Sequence, residues 1–208
     1  MRQLILKMSM SVDGFVGGPN GEIDWFFKGY DAGVTDWEVA ILWQASAHLM
    51  GSRTFRDMVA YWPTSTEPYA PPMNEIPKVV FSRTGAIGQG TTTRALEDAI
   101  RVRTAAEAPA PSNLSSWTSP AIATGDLAEE IARLKQQDGK PLLAHGGAGF
   151  AQSLVKEGLV DEYCLLVHPV ALGRGLPIFS GLATPIDLKL VSATTFATGA
   201  VAHTYRPA

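Results

Sequence analysis

The chain has 208 residues, of which 46% are hydrophobic and 18% charged, with a formal net charge of −3. That is the composition of an ordinary globular domain, not of a disordered or low-complexity chain. No basic block or stripe is present, so electrostatic binding to nucleic acid is not expected, and no apolar run is long enough to span a bilayer. The single cysteine, Cys164, cannot form an internal disulfide. The opening "MRQLILKMSMSVDG" lacks the unbroken apolar centre of a signal peptide, so a cytoplasmic protein is expected.

Leu4, Leu6, Met8, Met10 and Val12 fall on every second position, which predicts a strand with one buried face. "GGPNGEIDW" supplies turn residues. Thr35 and Glu38 have capping-box spacing, and Trp37, Ala40 and Ile41 follow at helical spacing. "AHLMG" predicts a short buried strand and "SRTFRDMVAYW" a helix with Phe55, Met58 and Val59 on one face. "KVVFS" is a further strand, after a proline-rich loop. Residues 88–113 hold a short helix and an Ala/Pro/Ser tail, and are expected to be a surface insertion. "PAIAT" and "PLLAH" predict two more strands. Between them "GDLAEEIARLKQQ" predicts a helix capped by Asp126, with Leu127, Ile131 and Leu134 as its apolar stripe. A helix from Gly147 should stop at Gly158. "EYCLLVHPVAL" predicts a long strand over 162–172, and "LKLVSATTF" with "VAHTYR" a closing hairpin.

Short apolar strands alternating with helices imply an α/β fold with a mostly parallel sheet, and the hairpin implies an antiparallel edge. One domain is expected over 1–208, since the length suits one substantial core.

"HGGAGF" (145–150) strips the side chains from a strand-to-helix turn. A helix N-terminus there presents unpaired N–H groups and a positive dipole end, which suits a phosphate. Two further strand ends resemble it in chemistry. "LMGSRTF" places Gly51, Ser52, Arg53 and Thr54 at a strand-to-helix junction, and "VVFSRTG" ends a strand with Ser82, Arg83 and Thr84. Ligands of open α/β sheets bind beyond the carboxyl ends of parallel strands, so the three could converge on one polyanion.

"MSMSVDGFVGGPNGEIDW", "LMGSRTF", "KVVFSRT", "GDLAEEIARLK" and "GGAGFAQSLVKEGLVDEYCLLVHPVALGRG" occur in an order that resembles the dihydrofolate reductase superfamily. Within it the chain is most similar to stand-alone relatives of the reductase domain of the bifunctional riboflavin-biosynthesis deaminase–reductase. The resemblance implies a mixed sheet with flanking helices and a bound NADPH. It places Gly146, Gly147, Ala148, Gly149 and Phe150 at the diphosphate, with a cis Gly146–Gly147 peptide. It places Gly51, Ser52, Arg53 and Thr54 along the phosphates, and Ser82, Arg83 and Thr84 near the adenosine ribose and its 2′-phosphate. Ser52 departs from the pattern, since many relatives carry an arginine there. The resemblance also implies a homodimer through the C-terminal end of the sheet.

For the reacting end, Asp13, Asp24 and Asp36 are candidate acids. Asp13 in "SVDG" borders the nicotinamide pocket by resemblance, and Asp36 opens a helix where dihydrofolate reductases carry a pocket carboxylate. Trp25, Tyr61 and Trp62 are candidates to stack on a flat substrate. The histidines, His48, His145, His168 and His203, match no H-E-x-x-H or H-x-E with P-C-x-x-C pattern, so no metal and no zinc deaminase chemistry is expected. His48, His145 and His168 read as core or strand-end residues. The expected activity is an NAD(P)H-dependent reductase of a small heterocyclic or carbonyl substrate, pyrimidine-like or pterin-like. The alternatives are dihydrofolate reductase proper and an NADP-binding protein without turnover.

Overall fold

The computed structural model describes residues 1–87, 89–105 and 114–208. Eight strands form one sheet: β1 (Leu4–Ser11), β2 (Ala47–Gly51), β3 (Lys78–Phe81), β4 (Ala121–Ala123), β5 (Leu142–Ala144), β6 (Glu162–His168), β7 (Leu188–Thr195) and β8 (Val201–Pro207). Their order is β4-β3-β2-β5-β1-β6-β8-β7. All pairings from β4 to β6 are parallel, and β8 joins β6 and β7 antiparallel. The helices are α1 (Ala32–Trp43), α2 (Ser52–Val59), α3 (Ala70–Glu75), α4 (Gln89–Ala105), α5 (Ser115–Thr118), α6 (Leu127–Lys135) and α7 (Ala148–Lys156). None of them is long and apolar enough to cross a membrane, among the described residues.

Alternation along β1 divides the core. Leu4, Leu6 and Met8 face one side, where Ile131 and Leu134 of α6 and Ala151, Leu154 and Val155 of α7 cover them. Ile5 faces the other side, with Leu143 of β5, Met50 of β2, Val80 of β3 and Cys164 of β6, under Leu42 of α1 and Phe55 and Val59 of α2. Helices α2 and α7 therefore leave neighbouring strands, β2 and β5, towards opposite faces of the sheet. The crevice between such helices is where open α/β sheets bind ligands.

Several elements differ from the sequence reading, each for a local reason. Helix α1 begins earlier than the Thr35–Glu38 spacing suggests, because the Asp31 side chain caps it by accepting the Val34 N–H at 2.8 Å. The proline-rich loop contains α3, since Pro71 and Pro72 occupy the first turn, where no N–H is needed. The 88–113 segment is more than a surface insertion. Its α4 is 17 residues long and sets Leu96 into the second core cluster; its Ala/Pro/Ser tail, 106–113, lies outside the described residues. Strand β6 stops at His168 because Pro169 has no N–H for a ladder. The hairpin β7–β8 and the caps at Asp126 and Gly158 stand as read.

Candidate active site at the carboxyl ends of β1, β2, β5 and β6

The glycine turn is built from two junctions that lock together. Gly51 ends β2 and caps α2; Gly147 follows β5 and caps α7. Neither helix has a side-chain cap, so the N–H groups of both first turns remain available. The Gly51 N–H donates to the Gly146 carbonyl at 3.4 Å, the His145 N–H to the Leu49 carbonyl at 3.0 Å, and the Gly147 N–H to Thr54 Oγ1 at 2.6 Å. The Gly146–Gly147 peptide is cis. Gly146 has φ +85°, a backbone conformation that favours glycine, and a Cβ there would stand 3.0 Å from Met8 Sδ, a tight contact. A Cβ on Gly149 would meet nothing within 4 Å, which leaves open space over the α7 N-terminus.

The structure brings the third strand end to the same place. Phe81 of β3 packs on Phe150 of α7, ring centroids 4.8 Å apart. Within Ser82-Arg83-Thr84 the three side chains are placed differently. Ser82 is buried and donates to the Ala86 carbonyl at 2.9 Å, and Thr84 Oγ1 accepts the Ala86 N–H at 3.4 Å. Both hydroxyls hold the turn, Ser82 from a buried position and Thr84 from an exposed one. Arg83 between them is exposed, as are Arg53 on α2 and Gly149. Ser52 is half-buried beside Arg53, and Ala148 opens α7.

The Asp13 carboxylate is engaged by backbone amides. Its two carboxylate oxygens accept the Leu172 N–H at 3.1 Å and the Gly173 N–H at 2.7 Å, tying the end of β1 to the 170–175 loop. The Ser11 hydroxyl and these amides hold it below the usual carboxylate range. Asp24 and Asp36 are exposed, and Asp36 points away from the core stripe of α1.

The carboxylate that enters the site is Glu38. It lies on the buried stripe Val34, Glu38 and Leu42, and pairs with Lys7, whose alternation on β1 puts it on the α1 face. The signal was legible: Glu38 occupies an i, i+4 core position between two apolar residues, and Lys7 an inward position. The Tyr30 and Tyr69 hydroxyls face this carboxylate. Burial, then the Glu38 charge, pushes the Tyr30 phenol far up. Burial also raises Tyr69, against the opposing Thr35 hydroxyl at 3.1 Å. His168 of β6, in register with Ser11, is 1% exposed and has no hydrogen-bond partner on either nitrogen. Burial takes it down to about 4, with Glu38 opposing and Lys7 adding to the shift.

Trp25 and Trp62 bracket one row of rings around this patch. Trp25 packs on His168 at 5.7 Å, His168 on Tyr30 at 5.9 Å, Tyr30 on Tyr69 at 6.2 Å and Tyr69 on Trp62 at 6.0 Å. Tyr61 packs edge-on to Trp62 at 5.0 Å and is otherwise exposed. The site thus has an anion-seeking side, made of two helix N-termini and two arginines, and an aromatic, polar side around Lys7 and Glu38. Among the described residues no cluster of three or more His, Cys, Asp or Glu residues is arranged to hold a metal.

Comparison with known proteins gives the fold and the family. The uncharacterized protein YyaP of Bacillus subtilis is 31% identical over 204 residues, covering 98% of this chain and 94% of YyaP. A putative riboflavin biosynthesis protein from Shewanella shares the fold with a TM-score of 0.69, 22% identity, and coverage of 100% of this chain and 99% of that one. The deaminase/reductase of Thermotoga maritima matches with a TM-score of 0.64 and 18% identity, this chain spanning 57% of its length. Dihydrofolate reductase of Enterococcus faecalis, solved with NADP(H), matches at 0.54 with 11% identity over 99% of this chain and 96% of that one. The family model of the RibD C-terminal domain matches residues 2–202, so the chain belongs to the RibD C-terminal domain family and has its dihydrofolate reductase-like fold.

Proposed function

We propose that the protein is a cytoplasmic NADPH-dependent reductase that delivers a hydride to a small heterocyclic acceptor, pyrimidine-like as in riboflavin biosynthesis or pterin-like. The observation that carries this reading is the junction at Gly51 and Gly147. Two uncapped helix N-termini meet there, bonded to each other through Thr54, beside open space at Gly149. Such a junction suits a diphosphate. The residues fit the cofactor: the first-turn N–H groups of α2 and α7 would bind the diphosphate, and the exposed Arg53 and Arg83 would meet the 2′-phosphate.

NADPH supplies the hydride when bound. The rest falls to the chain. Lys7, positioned by Glu38, offers an ammonium donor to the developing charge on the acceptor. The ring row from Trp25 to Trp62 gives a flat heterocycle an apolar wall and displaces water from it. The test is a titration with NADPH followed by its loss of absorbance with pyrimidinone and pterin acceptors. Saturable binding with turnover of one acceptor class is expected. Binding without any turnover would leave a nucleotide-binding protein, and no binding would remove the reading altogether.

A further inference from the structure

Helix α4 buries the wrong residue for a surface helix. Leu96 and Arg103 are seven residues apart, two turns along one face. Leu96 enters the second core cluster, and Arg103 is 8% exposed. Ile100 and Val102, which could have filled a core face, are exposed instead. Arg103 forms no ion pair among the described residues, and its Nε is buried without a partner. An apolar side chain would cost less at such a position, so the bond that Arg103 does make calls for a reason.

That bond runs to the segment between α2 and α3. Arg103 Nη2 donates to the Ser65 carbonyl at 3.0 Å. The Ser65 N–H in turn donates to the Tyr61 and Trp62 carbonyls at 3.1 and 3.2 Å, which closes a tight turn around Trp62. The Trp62 carbonyl also accepts Asn74 Nδ2 of α3 at 3.2 Å, and Asn74 Oδ1 accepts the buried Trp117 Nε1 at 2.8 Å. The turn is therefore gripped from α3 at Trp62 and from α4 at Ser65. Its ring, Trp62, stands 6.0 Å from Tyr69, the residue that caps α3, and ends the row that begins at Trp25.

We infer that Arg103 is a positioning residue for the acceptor: through the Ser65 carbonyl it holds the Trp62 turn, and with it the far end of the wall on which the heterocycle lies. The inference rests on the reductase reading above, in which the row from Trp25 to Trp62 is that wall. A guanidinium suits the task, because a charge-assisted bond to a carbonyl is stronger than a neutral one. Arg103 acts on the acceptor end alone, since its bond goes to the turn of Trp62 and not to the glycine junction of Gly51 and Gly147. The α4 segment thereby bears on which heterocycle is accepted, without touching it.

The test uses the full chain labelled with ¹⁵N-tryptophan, whose five indole N–H signals report the rings one by one. The Trp62 signal is assigned by its loss in Trp62→Phe. Arg103→Leu fills the same face of α4 without a donor and is expected to fold. It should shift or broaden the Trp62 signal and leave that of Trp25, at the other end of the row, in place. An unmoved Trp62 signal overturns the proposal whether or not any ligand binds. NADP⁺ is then titrated by calorimetry, followed by folate or 5,6-diaminouracil with NADP⁺ present. The expected result is NADP⁺ affinity within about twofold of the parent and roughly tenfold weaker binding of whichever probe the parent takes. Equal losses for NADP⁺ and probe, or no loss for the probe, overturn the positioning role. A parent that binds no NADP⁺, or neither probe, defeats the reductase reading instead, while the Trp62 signal still decides the grip of Arg103 on the turn. Arg103→Lys keeps a charged donor and should hold the Trp62 signal in place; a displaced signal in the folded lysine variant would overturn the bond to Ser65 as the cause. Should Arg103→Leu not fold, the same readouts are taken on Arg103→Gln, whose shorter amide replaces the charged donor.

Discussion

Thr54 and Gly147 lie 93 residues apart in sequence, and Thr54 Oγ1 accepts the Gly147 N–H at 2.6 Å. This bond sets the N-terminus of α7 beside that of α2 and fixes the distance between two ends of positive dipole. Thr54→Val keeps the shape and removes the acceptor. The N–H it strands is half-buried, so the expected loss is about 1 kcal/mol of stability and roughly fivefold in NADPH affinity. Urea unfolding and a fluorescence titration measure the two, and Thr54→Ser should restore both. A valine variant as stable and as tight as the parent would show that the bond contributes nothing.

The two glycines of the turn should fail in different ways. Gly147 has φ −62°, which any residue adopts, and a Cβ there meets only Thr54 Oγ1 at 3.1 Å. Gly147→Val is expected to fold and to lose NADPH binding, because its side chain fills the approach to the α7 N–H groups. Gly146→Ala is expected to destabilise the protein itself by about 1–2 kcal/mol for the φ of +85°, with the Met8 contact adding to it. Circular dichroism melts beside nucleotide titrations separate these outcomes. Tight binding by a folded Gly147→Val variant would move the diphosphate elsewhere.

Much of this was legible in the sequence, and the misses have physical causes. The strands β1, β2, β5 and the β7–β8 hairpin follow from apolar alternation and turn residues, which act locally. The glycine turn was legible because an absence of side chains has few other uses between a strand and a helix. The turn bonds of Ser82 and Thr84 to Ala86 were not legible, because a hydroxyl at a strand end serves a turn as well as it serves a ligand. Glu38 was read as part of a cap because Thr35 stands three residues before it. Its partner Lys7 comes from a different element, so the pair exists only once α1 lies across β1.

The expected assembly is a symmetric homodimer through the C-terminal end of the sheet. Strand β7 is an edge, exposed along nearly its whole length, and Leu190 and Val191 are 51% and 49% exposed. An uncovered apolar edge strand is a liability that a second copy removes. Light scattering at micromolar concentration should give twice the chain mass, and Leu190→Glu combined with Val191→Lys should give the monomer. A monomeric parent protein would refute the assembly.

Arg83 should decide between the two nicotinamide cofactors. It sits in a turn held by Ser82 and Thr84, so its backbone is fixed while its side chain is exposed. A guanidinium donates paired, charge-assisted hydrogen bonds to a phosphate and gains far less from a ribose hydroxyl. One such bond contributes about 1.5–3 kcal/mol, so Arg83→Ala should weaken NADPH binding roughly ten- to a hundred-fold and leave NADH binding nearly unchanged. Equal losses for both would place Arg83 at the diphosphate or in the fold.

Acid should destabilise the protein before its carboxylates titrate. His48 and His168 are buried and His145 is half-buried, and loss of water around the rings holds all three below the ordinary histidine value of 6.5, His145 to about 3 and His168 to about 4. Below pH 6.5 the unfolded chain therefore takes up protons that the folded chain refuses. Stability is complete above that pH and falls as the pH drops towards the folded values. Each histidine contributes a slope of up to about 1.4 kcal/mol per pH unit, so the three together approach roughly 4 kcal/mol per unit near pH 5. Urea midpoints between pH 7 and pH 5 measure this window, in which ordinary Asp and Glu side chains remain ionised. His168→Leu should remove about one third of the slope, since the ring row of Trp25, Phe26 and Tyr30 accommodates an apolar side chain without a proton to refuse. A flat profile from pH 7 to pH 5 would mean that these imidazoles find partners or water in solution.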